Sequence, residues 1–392
     1  MILANQPLDQ ALEYRRILSG FTIIMMALSW PLWWADDLRP KFPVFGIPIP
    51  ALIQFESTVL LACVSGLILS FSRKFGRLGS GLACLAGLCL VAGDQQRLQA
   101  WFYQTLILNA TFAFLPGPTS IGFARLFAIV LYAHSALSKL DWSFAHSMGP
   151  YLLKPILQHF PESWPDSASF YFIMAIPVAE LMAAILLASG YLKSGLTAVL
   201  LMHSSLFIML GPWLLNHSGN VLLWNISMAF QALILFRIPT RSGQDSAVHP
   251  PPNPIAFGCV QLLFLAVAIM PFFERAGLWD PWPSFALYAG HVEQFLIDFP
   301  ADSLADIPPE FQPFIVKHAD RLQLDTTRYC RALLGVPPYP ALRVQKQMAR
   351  FVAKQCPDNF PVRATFLSKS HWRTGHRSEW VVSGRESILS LK

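Results

Sequence analysis

The chain reads as an all-α polytopic membrane bundle of about nine transmembrane helices, followed by a small C-terminal α+β domain in water. Three observations predict this. Of the 392 residues, 54% are hydrophobic and only 13% charged, with a mean hydropathy of +0.44; soluble domains carry about a quarter charged residues. Apolar runs near the length needed to span a bilayer, about 20 residues, recur along the first two thirds. The charge density then changes: about 27 of the last 120 residues are charged, against about 25 of the first 272.

The predicted spans lie near 16–35, 50–72, 76–93, 100–115, 119–138, 168–190, 194–211, 219–236 and 255–273. The run after Arg15 and Arg16 is long enough to cross and lacks a small-residue cleavage site, so it reads as a span and not as a leader. Met148–Phe160 is too short to cross and reads as an interfacial or re-entrant piece. These boundaries divide the chain into a transmembrane part, 1–273, and a C-terminal part, 274–392. In the latter, Phe285–Phe299 and Trp372–Ile388 read as strands, with turns near Arg373–His376 and at Ser383–Gly384. Thr326–Leu334 and Pro340–Gln355 read as helices. The Pro-rich segment His249–Pro254 reads as a linker.

Orientation follows from Lys and Arg in the short loops. Arg15, Arg16, Arg73, Lys74, Arg77, Lys193, Arg237 and Arg241 fall on one side, against Arg39, Lys41, Arg97, Lys154 and Lys139 on the other. The N-terminus is therefore expected in the cytoplasm and the C-terminal domain in a periplasm or lumen, as in a bacterial inner-membrane protein. The net charge of +6 is spread along the chain, with no basic block for nucleic acid. The six cysteines form no CxxC pair, and no metal site is expected. Cys330 and Cys356 are the two that could pair in an oxidising compartment.

Ionisable groups inside spans are costly and call for a partner or a function. Arg125, Tyr132 and Lys139 recur at seven-residue spacing on one face of the fifth span, with His134 and Ser138 nearby. The stripe is about 21 Å long at 1.5 Å per residue. Glu180 follows Pro177 by three residues in the sixth span, and His203 sits mid-way in the seventh. If Lys139, Glu180 and His203 converge, they suit proton handling. The alternative has Lys139 snorkelling, Arg125 pairing with Glu56 or Glu180, and His203 bonded to a neighbouring helix. Asp94–Gln99 is a dense polar cluster between two spans, readable as a headgroup site, a cavity mouth or a solvated loop. Asn216, His217, Asn220 and Asn225 form a similar cluster on the same side.

The run Tyr132–Ala133–His134–Ser135–Ala136–Leu137–Ser138–Lys139–Leu140–Asp141–Trp142, continuing through Ser147–Met148 to Tyr151–Leu152, resembles the HTTM superfamily of vitamin K-dependent γ-glutamyl carboxylase-like membrane proteins. Met202–His203–Ser204–Ser205–Leu206–Phe207 is similar to that family's histidine-containing helix. Lys139, Pro177, Glu180 and Leu186–Gly190 also follow a pattern of the DoxX/MauE group of redox-associated membrane proteins. The first resemblance implies many spans and then an outer domain, with a quinone cofactor reached through the bilayer. Lys139 is then the catalytic base and His203 its support; the reading of the residues adds Glu180 to the catalytic set and places Arg125, Tyr132, His134, Asp94 and Arg97 on the cofactor side. The second leaves open a non-catalytic membrane partner of a periplasmic or luminal redox protein.

Overall fold

The computed structural model describes residues 6–34, 41–44, 54–159, 165–237 and 252–391. Among the described residues, nine longer helices run alternately between the two ends of one bundle: α1 (Gln6–Leu28), α2 (Glu56–Leu69), α3 (Gly76–Gly93), α4 (Ala100–Phe114), α5 (Gly117–Ser138), α7 (Asp166–Ala188), α8 (Leu192–Leu210), α9 (Gly219–Leu235) and α10 (Pro254–Ile269). A helix thus stands at each of the nine expected positions. Five segments among them are long and apolar enough to cross a membrane: α3, α5, α7, α8 and the stretch Pro254–Phe273 that begins with α10. The helices α2 and α9 are apolar but shorter.

The short α6 (Gly149–Leu157) follows a π-helical turn, Phe144–Met148, and fills the place of the interfacial segment. Nine residues reach only about 14 Å. Its Leu152 and Leu153 pack with Phe144, Ile173 and Leu210, while Tyr151 and Lys154 face outward, which is the amphipathic arrangement expected of an interfacial helix. Of the linker His249–Pro254, residues 249–251 lie outside the described residues. Asn253 caps α10 by accepting from the Ile255 and Ala256 amides.

Two features hold the bundle. First, α2 and α3 touch backbone to backbone: a Cβ on Gly66 would lie 2.5 Å from Ala83 N, and one on Gly79 2.5 Å from Ser70 N. Small residues permit this close approach where no hydrophobic force drives helices together. Second, α4 is buried nearly all round, and its Gln104 is bonded across to α9 and, through Gln231, to α1. Gln104 donates to Gln231 Oε1 (2.8 Å), Tyr14 donates to the same oxygen (2.6 Å), and Trp224 donates to Gln104 Oε1 (2.9 Å).

The basic loops gather at the end where α1 begins. Arg16 donates to Phe71 O, Arg77 to Ala113 O and Phe114 O, and Arg237 pairs with Glu13. The C-terminal part covers the opposite end. Its strands β1 (Gln294–Pro300), β2 (Ile315–Lys317), β3 (Arg321–Leu324), β4 (Arg363–Leu367) and β5 (Glu379–Ser383) form one antiparallel sheet in the order β2-β3-β1-β4-β5. Helices α11 (Thr326–Leu334) and α12 (Leu342–Gln355) pack on it, so that Ile297, Phe299, Leu322 and Phe366 share a core with Tyr329, Met348 and Val352. The bounds of α11 match expectation because both ends are marked. Asp325 accepts from the Arg328 amide, and Gly335 ends the helix at φ +72°, the left-handed cap that glycine favours.

The strand expectation needs correction. Phe285–Glu293 forms turns before β1, with Phe285 and Tyr288 at positive φ. The Trp372–Ile388 stretch is strand only over β5. Gly384 at φ +88° then turns the chain into α13 (Arg385–Leu389). Cys330 and Cys356 are free and buried in the core of this part.

Candidate functional site

At the C-terminal end of α5, Lys139 turns inward and does not snorkel. Its Nζ donates to Ser135 O (3.0 Å), Ser135 Oγ (2.6 Å) and Glu180 Oε2 (2.8 Å). The two side chains of this ion pair are only 7% and 10% exposed. Ser135 stands one helical turn before the lysine, which aligns both on one face.

Seven residues earlier on the same face, Tyr132 Oη lies 3.0 Å from His203 Nε2. His203 Nδ1 is 2.9 Å from Asn225 Oδ1, and the Asn225 amide donates to Val221 O. These contacts fix the imidazole. The Asn225 oxygen accepts, so Nδ1 carries hydrogen and Nε2 accepts the phenol proton. Glu180 is near enough to act electrostatically on both Tyr132 and His203. Four helices, α5, α7, α8 and α9, therefore contribute to one buried polar group. Its members Lys139, Glu180, Tyr132 and His203 are all expected from sequence.

The other expected residues lie elsewhere. Arg125 does not pair with Glu56 or Glu180. Its Nε donates 2.7 Å to Leu235 O at the end of α9, where a cation satisfies a carbonyl left over by the helix. His134 Nε2 meets Ala268 O near the end of α10 at 2.9 Å. Arg97 is 1% exposed and binds the Glu56 carboxylate, Leu32 O and Leu90 O. Lys41 adds a second cation to Glu56 at 2.7 Å. The Asp94 carboxylate accepts from the Phe42 and Gln96 amides.

Asp94–Gln99 is accordingly a buried joint and not a solvated loop. Gln96 Oε1 accepts from the Tyr339 amide (2.6 Å) and Gln95 Oε1 from Arg343 (3.0 Å), tying the bundle to the C-terminal part. In the neighbouring cluster Asn225 belongs to the His203 site. His217 instead faces Arg331, and burial together with that cation lowers its pKa to about 4.

A second buried group, missed from sequence, begins two residues beyond Lys139. Asp141 Oδ2 is 2.8 Å from His291 Nδ1 and 2.9 Å from Arg275 Nη2. Glu274 Oε2 is 2.9 Å from His291 Nε2, and Glu274 Oε1 accepts from Lys369 at 2.7 Å. Burial pushes both carboxyls upward. The hydrogen bonds from His291 and the nearby cations outweigh it and hold both below the usual range. For His291, burial works downward, but the two carboxylates prevail and raise it. Asp141 lies in the run that carries the family resemblance. His291 and Glu274 sit in turns with no periodicity to mark them.

The fold and this site define a mostly helical protein with five candidate membrane spans among the described residues and a C-terminal antiparallel sheet. No family model, no curated protein and no solved structure matches the chain.

Proposed function

We propose that the chain is an integral membrane protein whose Lys139–Glu180 pair, with Tyr132 and His203, handles protons for redox chemistry of a lipid-soluble quinone near the outer membrane face. All nine long helices cross the bilayer in this reading, with the N-terminus cytoplasmic and the sheet in a bacterial periplasm. The alternating course of the helices and the basic loops gathered opposite the sheet support that orientation.

The observation that carries the reading is the buried Lys139–Glu180 contact beside the Tyr132–His203 hydrogen bond. An ammonium and a phenol are the donor types that suit quinone carbonyls, so the residues fit the group in kind. A quinone, when bound, supplies a two-electron, two-proton couple. Lys139 Nζ and Glu180 Oε2 share one exchangeable proton over 2.8 Å. Tyr132 Oη and His203 Nε2 hold another over 3.0 Å. Asn225 fixes the tautomer, and the surrounding helices exclude water from both.

One observation favours a second reading, a non-catalytic membrane partner of a periplasmic redox protein. Lys139 already has three acceptors within its own chain, which is the full capacity of an ammonium.

The test is quinone binding and oxidation of the reduced quinone in oxygen by the detergent-purified protein. Wild type is compared with Lys139→Ala and Tyr132→Phe. Saturable binding by all folded forms, with turnover lost in Lys139→Ala and reduced in Tyr132→Phe, supports the catalytic reading. No binding and no turnover by wild type leaves the membrane partner.

A further inference from the structure

Between β4 and β5 the C-terminal part returns to the bundle through a tight loop. The His371 amide donates to His376 O and the Gly375 amide to His371 O, at 2.8 Å each. Residues 371–376 thus close on themselves, with Trp372 and Arg373 mid-way between the two strands. The loop lies on Trp142. The Trp142 amide donates to Trp372 O at 2.9 Å, and Gly375, at φ +69°, packs so closely on the Trp142 indole that a Cβ there would collide with the ring.

The aromatic surface continues onto the bundle. Trp142 stacks on His146 with ring centres 4.3 Å apart, and His146 lies 6.3 Å from Phe170, which in turn meets Tyr171. These rings are open: Trp142 is 40% exposed, Trp372 49%, Phe170 40% and Tyr171 72%. A contiguous exposed patch of this kind marks an interaction surface. Its level is set by two helices. Trp142 comes four residues after the end of α5, and Phe170 four residues after the start of α7. Both helices are long and apolar enough to cross a membrane, so the patch stands where a span would meet water. Indoles and phenols concentrate at that boundary, because their rings are apolar and their N–H and O–H groups are not.

Charge points the same way. Residues 359–378 contain Arg363, Lys369, Arg373 and Arg377 and no Asp or Glu. Three of the four are engaged within the chain: Arg363 with Glu379, Lys369 with Glu274, and Arg377 with the carbonyls of Gly290, Val292 and Ser368. Arg373 makes no ion pair among the described residues. Its guanidinium lies 4.3 Å over the centre of the Trp372 ring, a contact that holds the cation beside the indole without neutralising it.

We infer that the Trp372–Arg373 loop, with Trp142, Phe170 and Tyr171, docks in the headgroup layer of an acidic bilayer. The rings lie at the edge of the acyl chains and Arg373 lies on a lipid phosphate, which holds the sheet against the membrane surface. The loop is already shaped by its own hydrogen bonds, so docking orders little that was free. This anchor rests on the reading of α5 and α7 as spans and is independent of the quinone site.

The test uses the full chain labelled with 5-fluorotryptophan in nanodiscs of mixed phosphatidylcholine and phosphatidylglycerol. The Trp372 fluorine signal is the one missing from Trp372→Phe. A lipid with a nitroxide on its headgroup is expected to broaden that signal, and a water-soluble gadolinium chelate to leave it sharp. In Arg373→Glu, at an unchanged unfolding midpoint, the broadening should fall at least about threefold, within the effect of one basic residue at an acidic surface. A signal broadened by the chelate and not by the lipid, or broadening as strong in the folded Arg373→Glu, would overturn the proposal. Alkaline carbonate extraction of membranes tests the spans separately. Retention of the protein with Trp372 exposed to water removes the anchor and keeps the spans, whereas release removes both.

Discussion

His291 Nδ1 lies 2.8 Å from Asp141 Oδ2 across the joint between bundle and sheet, and its other ring nitrogen meets Glu274 at 2.9 Å. A neutral imidazole has one donor and one acceptor nitrogen. With an ionised carboxylate on each side, both nitrogens must donate, so the ring is an imidazolium clamp. Arg275 and Lys369 complete the group by balancing the two carboxylates. Asp141 also accepts from the Phe144 amide (2.7 Å), so the same carboxylate sets the turn from α5 into the π-helical segment.

This clamp gives stability a pH dependence of known sign. The raised folded-state pKa of His291 means its contribution is full below about 6.5, the ordinary histidine value, and is lost as pH rises through the folded value. Asp141 and Glu274 are held low, so their contribution is present above about 4 and is lost as pH falls further. The unfolding midpoint should therefore be highest between about pH 4.5 and 6.5 and decline above that window. His291→Gln should have a lower midpoint and a flatter alkaline limb in the same thermal scans. An alkaline limb that His291→Gln leaves as steep as in wild type would place the titrating group elsewhere.

The Lys139–Glu180 pair makes a second, non-additive prediction. Removing one partner of a buried ion pair leaves an uncompensated charge and costs about 3–5 kcal/mol, whereas replacing both with apolar side chains can be nearly neutral. Lys139→Met and Glu180→Leu should each destabilise the bundle strongly, and the double variant should recover most of the loss. Unfolding free energies in mixed micelles check this. Single losses below about 1 kcal/mol that simply add would mean the two charges are not in contact.

The approach of α2 to α3 is testable with the smallest possible change. Gly66→Ala places a methyl 2.5 Å from a backbone nitrogen that no rotamer can move. The helices must separate, at about 1–3 kcal/mol or more. Gly122→Ala in α5 is the control: nothing lies within 4 Å of that Cβ, so the change should be neutral or slightly stabilising. A lower midpoint for Gly66→Ala with none for Gly122→Ala is the expected outcome.

Lys139, Glu180 and His203 were legible because an ionisable residue in an apolar run stands out, and seven-residue spacing put Tyr132 beside the lysine. Their partners were not. Ser135 and Asn225 are chosen by helix packing, which local periodicity does not carry. Arg125 and His134 share the helix of the site, yet they serve carbonyls at the ends of α9 and α10, contacts that depend on which helices are neighbours. Asp94–Gln99 shows the same limit, because its local polarity gives no hint that α11 and α12 arrive to cover it. In the C-terminal part, α11 was readable from its caps, while β2, β3 and β4 are short strands; β2 and β3 form a local hairpin, but both β3 and β4 are placed by non-local pairing with β1. Such strands leave only a weak period-2 signal.

The two C-terminal cysteines yield the last prediction. Burial pushes the Cys330 thiol up to about 12 and the Cys356 thiol up to about 11. Only a thiolate reacts readily with a maleimide, so neither should label in the folded protein even at about pH 9. Both should label once sodium dodecyl sulfate or urea opens the sheet core. Intact mass with and without reductant should be the same, because both thiols are free. Cys330 is 0% exposed on the core-facing side of α11, and Arg331 of the same helix meets His217 of the bundle at 3.4 Å. Its labelling rate therefore reports opening of the joint. Rapid labelling of Cys330 in His291→Gln, with Cys356 still protected, would show that the clamp holds this edge of the sheet on the bundle. Equal protection of both thiols in that variant would show that the apolar core alone holds it there.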